Sequence, residues 1–313
     1  MPDPAAPASM VTPGSPVPRA TGGHEPGVAV KHRPQWRQAA RRFRRHKLAV
    51  VSLMVFVLLV LLAFVGPALW KYRAGEITPD NSVPPSLKHP FGTDNLGHDM
   101  LAEVLRGLQI SLQVALCIAL MATMAGTAWG AVSGYYTGVV DAALMRLADL
   151  ILTIPPIALA AALAHGSSGS WLSIAFIIGA LAAPYVARVV RGVVLSLRER
   201  DFVEAARALG ASDLRIILCH IVPNAVAVVI VNATLLVAGG ILAETALSFV
   251  GFGVRPPDTS LGLLITVAQG AVSTRPWLFY FPGLFIILVA LTVNFVGDGL
   301  RDALDPRQTG RRQ

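Results

Sequence analysis

Glu244 is the side chain in this sequence that stands most out of place. It lies in ILAETALSF, an apolar stretch long enough to be part of a membrane span. An ionised carboxylate there is expensive and marks a functional position by default. Three roles are open to it: meeting a cationic ligand, relaying a proton, or supporting helix packing through hydrogen bonds, and the packing role is favoured. Asp149 is a second candidate for a relay. Arg146 precedes it by three residues, a spacing that puts both on one helix face, and Asp141 is close by. A paired interfacial cluster is therefore the better reading of that segment. Cys219 and His220 are adjacent, but neighbours on a helix point about 100° apart, so this pair alone makes a poor metal site. Cys117 and Cys219 read as small buried hydrophobes. His165, just before SSGS, reads as a loop residue. None of the four lysines follows a glycine, so no phosphate-binding G-x-x-x-x-G-K-[ST] loop is present. No catalytic residue, metal site or cofactor is expected in this chain.

The elements that position these groups are membrane helices. The chain has 313 residues, of which 54% are hydrophobic and 14% charged. A soluble domain carries roughly 25% charge. The formal net charge of +8 could suit a nucleic acid, but in such a composition it reports loops facing anionic lipid, and nucleic acid is not an expected partner. Residues 1–47 read as a disordered, basic N-terminal tail. No apolar core precedes residue 48, so a signal peptide is not expected. The first span covers 48–70 and an external loop 71–103. Further spans are expected at about 107–132, 139–163, 171–194, 221–250 and 277–300. Together they form a core over 104–303, followed by a C-terminal tail over 304–313. Pro155-Pro156 should kink or break the third span. Ala122, Gly126, Gly130 and Gly134 make a small-residue ridge for close helix packing within the chain. With six spans, 20 of the 26 Lys and Arg fall on one side, which places both termini and residues 195–220 in the cytoplasm.

One segment on that side is neither span nor ordinary loop. DFVEAARALGASDLRIILCHIVPN, from Asp201 to Asn224, carries seven ionisable side chains between apolar runs. Asp201 and Glu204 are spaced as a capping box. Phe202, Ala205, Ala206 and Leu209 share one side, and Glu204 can pair with Arg207. Gly210 should end the helix in the left-handed conformation, and Ser212 can cap a second helix. Nine residues rise only about 14 Å, too little to cross a bilayer. The helix should lie along the cytoplasmic face.

EAA, three residues, Gly, then twelve residues to Pro223 resembles the EAA loop of ABC importer permeases, with Glu204, Ala205, Ala206 and Gly210 matching position for position. HPFGTDNLGHD (His89 to Asp99), HIVPN at His220, AETALSFVGFGVRPPDTSLG (Ala243 to Gly262) and the run from Pro276 to Arg307 resemble the dipeptide/oligopeptide group, the DppC/OppC type of permease. Two places, three residues in all, depart from that pattern: His98 stands where the family commonly has Arg, and Ala102-Glu103 where it has Ser-Arg.

The resemblance implies an all-α polytopic membrane protein with six transmembrane helices. It would be a MetI-like type I importer domain with a cytoplasmic coupling helix. Glu204, Ala205, Ala206, Gly210 and Pro223 would couple it to an ATPase, and Glu244 is the candidate pathway residue. The implied partners are a homologous DppB/OppB-like permease, two ATP-binding subunits that hold ATP and Mg, an external solute-binding protein, a peptide substrate and membrane lipid. The expected location is the cytoplasmic (inner) membrane, and the expected activity is peptide import by alternating access without hydrolysis by this chain. A proton-coupled secondary transporter using Glu244 and Asp149, or a nickel or glutathione importer of the same family, is the alternative.

Overall fold

The computed structural model describes residues 35–304, all helix and loop apart from isolated bridges between Ile77 and His98 and between Thr93 and Asp99. Apolar length decides where its long helices run. Helix α1 spans Gln35–Arg45, α2 Lys47–Leu69 and α3 Met100–Tyr136. The next three are α4 (Gly138–Thr153), α5 (Pro156–His165) and α6 (Trp171–Leu197). Two short helices follow, α7 (Asp201–Ala208) and α8 (Asp213–Ile216). A π turn over Ile217–Ile221 leads into α9 (Val222–Phe249). Helix α10 (Leu261–Ala268) and a 3-10 turn (Gln269–Ala271) precede α11 (Trp277–Leu304).

Three boundaries differ from the expectation. The tail expected to be disordered over 1–47 is helical from Gln35 to Arg45, and Lys47 already opens α2. Residues 1–34 and 305–313 lie outside the described residues. Helix α3 has 37 residues and begins at Met100, so the external loop ends at Asp99 rather than at 103. Its early start has a local cause: Asp99 Oδ1 accepts the Ala102 N–H at 2.9 Å and satisfies one of the free amides of the first turn. At about 1.5 Å per residue α3 is about 55 Å long and must overshoot a hydrocarbon core of about 30 Å.

The expected third span is broken. Helices α4 and α5 meet at 86°, with Pro156 opening α5. Proline lacks the amide that would continue the ladder, and it pushes the residue before it out of the helical region. Five continuous helices are long and apolar enough to cross a membrane, and this bent pair makes up to six.

The packing of α3 on α6 decides how the pair counts. Gly126 faces Ala183 and Val186, Gly130 faces Ala187 and Val190, and Gly134 faces Arg191 and Val194. Positions rise together on both helices, so α3 and α6 run parallel. The chain between them must therefore return from one end of α3 to the other, and α4 with α5 makes that crossing. The small-residue ridge is consumed inside this chain. A Cβ on Gly126 would meet Val186 Cβ at 2.5 Å and Ala183 O at 2.6 Å.

Contacts also sort the loops by side. Residues 70–99, 166–170 and 250–276 gather at one end: Arg106 pairs with Asp258 at 3.2 Å, Arg275 Nη1 donates to Ser82 Oγ at 3.0 Å, and the Arg255 N–H donates to Gly169 O at 3.0 Å. At the opposite end, His46 faces Asp302 at 3.8 Å, and Tyr135 holds Asp213 at 2.6 Å. The start of α2, the end of α11 and the segment holding α7 therefore share one side. Buried side chains of α2, α3, α9, α10 and α11, including Leu59, Leu108, Ile241, Leu261 and Val289, form one core. Tyr135, Val186, Val194, Val203, Ile216 and Ile221 form another beneath α7.

Candidate functional site

Helix α7 sits on a polar and apolar bracket. Arg198 closes α6, and its guanidinium donates to Tyr135 O at 2.9 Å and Thr137 Oγ1 at 3.1 Å, tying the end of α6 to the end of α3. The cap of α7 is Arg200, with extended backbone, and no side chain caps the helix. The capping box expected from Asp201 and Glu204 does not form: Asp201 is already the first helical residue, so Glu204 falls one position too late to reach back. Its carboxylate and that of Asp201 still lie in the first turn, where the helix dipole favours negative charge.

The helix buries Val203 and Ala206 against Ile216, Ile217 and Ile221. The apolar side expected from Phe202, Ala205, Ala206 and Leu209 is divided. Ala206 turns inward, whereas Ala205 is exposed and Phe202 and Leu209 are 39% and 88% exposed. Glu204 is also exposed, and Arg207 does not pair with it. Arg207 instead lies over the Tyr135 ring, 5.9 Å from its centroid. A hydrogen bond with Tyr135 raises the Arg207 guanidinium above its ordinary pKa. Because Tyr135 also donates to Asp213 Oδ1 at 2.6 Å, one ring braces both short helices from below.

The end of α7 is a Schellman motif. The Ala211 N–H reaches Ala206 O at 3.1 Å, and the Gly210 N–H reaches Arg207 O at 3.0 Å. Gly210 has φ +79°, as its position after the helix requires, and a Cβ there would meet nothing within 4 Å. Ser212 occupies the cap position of α8, but only its backbone carbonyl is used, accepting the Ile216 N–H at 2.9 Å. Pro223 is the second residue of α9, two residues beyond the end of the π turn, which sequence reasoning missed. An amide-less residue inside a continuous helix was the available signal, because a wider turn rearranges the carbonyls that proline leaves without a donor. Cys219, expected to be buried, is exposed on this turn, and Cys117 is half-buried. Among the described residues no cluster of His, Cys, Asp or Glu could hold a metal ion.

Glu244 lies at the other end of α9 and is fully buried. Its Oε1 accepts from Ser248 Oγ at 2.8 Å and Ser260 Oγ at 2.7 Å, and its Oε2 from Ser111 Oγ at 3.5 Å. Two of these serines also hold the start of α10: Ser111 accepts the Leu261 N–H at 3.1 Å and Ser260 the Leu263 N–H at 3.0 Å. Glu244 thus links α3, α9 and α10 through hydroxyls whose oxygens are already occupied as acceptors. Gly262 gives the carboxylate its room, since a Cβ there would stand 3.1 Å from Oε2. Ser248, one turn along the same helix, was legible in the sequence; Ser111 and Ser260 were not.

The other carboxylates have different partners from those expected. Asp149 pairs with Arg188, not Arg146. Asp141 accepts both Arg191 Nε and Nη2 at 2.6 Å, and a bond from Ser133. Asp302 faces His46 at 3.8 Å. His165 ends α5 and meets Phe252 edge-on at 6.0 Å.

On the opposite side, the motif His89–Asp99 forms a clasp. His89 is 1% exposed, with Nδ1 2.7 Å from Asp99 Oδ2, Nε2 3.2 Å from Asp80 Oδ2, and its ring stacked on Tyr72 at 4.8 Å. Asp99 Oδ1 also accepts the Trp70 Nε1–H at 2.9 Å, so the clasp ties the end of α2 to the start of α3. A hydrogen bond from Lys88, and a second with His89, hold the Asp80 carboxyl below its ordinary pKa. The two departures from the family pattern are accommodated locally. His98 Nδ1 lies 2.7 Å from Asp94 Oδ2, and Glu103 Oε1 accepts the Gly75 N–H at 2.6 Å.

Comparison with known proteins agrees with this arrangement. Residues 126–310 match the family described as "Binding-protein-dependent transport system inner membrane component". Residues 34–88 match the "N-terminal TM domain of oligopeptide transport permease C". The oligopeptide transport system permease protein OppC of Mycobacterium tuberculosis (strain ATCC 25618 / H37Rv) is 42% identical over 277 residues, covering 87% of this chain and 95% of its own. The dipeptide transport system permease protein DppC of Alkalihalophilus pseudofirmus is 36% identical, covering 87% of this chain and 90% of its own. The glutathione transport system permease protein GsiD of Escherichia coli O6:K15:H31 is 35% identical, covering 89% and 92%. With a family match over more than half its length and relatives of this similarity along most of it, the chain belongs to the inner membrane permeases of binding-protein-dependent ABC transport systems.

Proposed function

We propose that this permease imports di- or oligopeptides by alternating access. It would work beside a homologous permease subunit, two ATP-binding subunits that hold ATP and Mg, and an external solute-binding protein. The observation that carries this reading is the outward stripe of Phe202, Ala205 and Leu209 on a helix whose inner face is already packed. An apolar stripe held rigidly at a membrane surface fits a groove on another protein. The left-handed stop at Gly210 and the Tyr135 bracket fix its angle, so a push on α7 passes into α3, α6 and α9. Relatives named for oligopeptide, dipeptide and glutathione transport favour short peptides as the solute class.

The excess of basic residues on the side that carries α7 supports a cytoplasmic reading of that side. Introduced cysteines test this: position 212 should resist an impermeant reagent added to intact cells and react in inverted vesicles. Labelling from outside would reverse the topology.

Against a proton-coupled mechanism stand Asp149, exposed and paired with Arg188, and Glu244, sealed among serines. In this reading Glu244 supports packing. Glu244→Gln preserves shape and hydrogen bonding, so it should keep most uptake of labelled di- to pentapeptides in cells carrying the complete transporter. Selective slowing of peptides with a free N-terminus, with N-acetylated peptides unaffected, would instead put Glu244 in the pathway.

A further inference from the structure

Helix α1 carries Arg37, Arg41, Arg42, Arg44 and Arg45 and no acidic residue in QWRQAARRFRR. Its position against the bundle is fixed. Phe43 packs over Gly299 of α11, where an added Cβ would stand 3.1 Å from its ring. His46 accepts the Ala49 N–H at 3.2 Å, and its other nitrogen faces Asp302 at 3.8 Å. What this anchored segment then presents at Arg41, Arg44, Arg45 and Lys47 is exposed charge without an acidic partner among the described residues. Asp298 and Asp302 line a hollow with His46, Leu48 and Arg301 at the start of α2, and Asp302 already faces His46.

The next residues define the depth of this charge. Leu48, Val51 and Met54 are 49%, 56% and 65% exposed at the start of the first span, an apolar face that this chain leaves uncovered. Lys47 and Arg45 precede them by one and three residues, at the level where phospholipid phosphates lie. Guanidinium groups bind phosphate oxygens through paired hydrogen bonds, and basic residues beside a span are drawn to anionic leaflets. We propose that α1 with Lys47 is a binding surface for the phosphate headgroups of anionic phospholipids. Lipid is the occupant favoured over a protein, because the cations directly adjoin a strongly apolar span that the chain leaves largely uncovered, the order of charge and hydrocarbon that a phospholipid presents. The leaflet concerned rests on the cytoplasmic assignment above; the binding itself does not.

The test uses the complete transporter in phosphatidylcholine vesicles containing trace spin-labelled phosphatidylglycerol or phosphatidylcholine. The protein-associated fraction of each label gives the preference. The wild type should favour phosphatidylglycerol on the order of tenfold, less in high salt. A variant with Arg41, Arg44, Arg45 and Lys47 all changed to Gln should lose most of that preference while still assembling with its partners. An unchanged preference in this variant would overturn the proposal in favour of the other basic loops. Displacement of the lipid by millimolar inorganic phosphate would mark a site for soluble anions and also overturn it. Absence of any preference in the assembled transporter, with preference in the isolated chain, would make α1 a protein interface instead. If α1 cysteines label from outside while the preference persists, the topology fails and the lipid surface stands.

Discussion

Gly210→Val should abolish most peptide uptake while leaving the protein inserted and assembled. The residue sits at φ +79°, which an L side chain adopts at a cost of about 1–2 kcal/mol, more when β-branched. No neighbour lies within 4 Å of the position a Cβ would take, so steric conflict with the rest of the protein plays no part. The strain is local, and the loop relieves it by leaving the Schellman geometry. That frees the Ala206 and Arg207 carbonyls and changes the angle at which Phe202 and Leu209 project. Uptake should fall about tenfold or more, since 1.4 kcal/mol of mispositioning is already a factor of ten. Gly210→Asn should fall much less, because asparagine tolerates the left-handed region. Uptake in right-side-out vesicles, with assembly followed by co-purification of the ATP-binding subunits, measures both. Wild-type uptake in the valine variant would make Gly210 ordinary surface.

Gly126→Leu should act earlier, on folding. Its Cβ would enter a space already held by Val186 Cβ at 2.5 Å and Ala183 O at 2.6 Å. One of those atoms is backbone of α6, so no rotamer change relieves the overlap. Overpacking of this kind costs about 1–3 kcal/mol and more where backbone must move. Separating α3 from α6 would also disturb Arg198 on Tyr135 O, and hence the bracket below α7. The amount of protein in the membrane and its thermal midpoint in detergent should both drop sharply. Gly192→Ala on the same α6 is the control: nothing lies within 4 Å of its added carbon, so stability should hold or rise.

The spans were legible because apolar length is a local property, and the break at Pro155-Pro156 because proline acts on its own backbone. Gly210 was legible for the same reason. The partners of buried charge were not. Arg188 of α6 reaches Asp149 of α4 across 39 residues of sequence, an outcome no spacing within α4 encodes. Ser111 reaches Glu244 across 133 residues of sequence. The face of α7 was misassigned for a different reason. Apolar residues on a short helix do not say in sequence which of them turn inward, and the inward positions are taken by Val203 and Ala206 while Phe202 and Leu209 stay exposed. The serine-held carboxylate and the His89 clasp show the same limit: each residue type was visible, and each constellation required the fold.

ATP-dependent uptake of a labelled short peptide tests the central claim most directly. This chain would be reconstituted in vesicles with its partner permease, the ATP-binding subunits and the binding protein. Uptake should require both ATP inside the cytoplasmic compartment and the binding protein outside, should persist with a protonophore, and should be lost with Gly210→Val. Uptake driven by an imposed proton gradient, without ATP, would contradict the account.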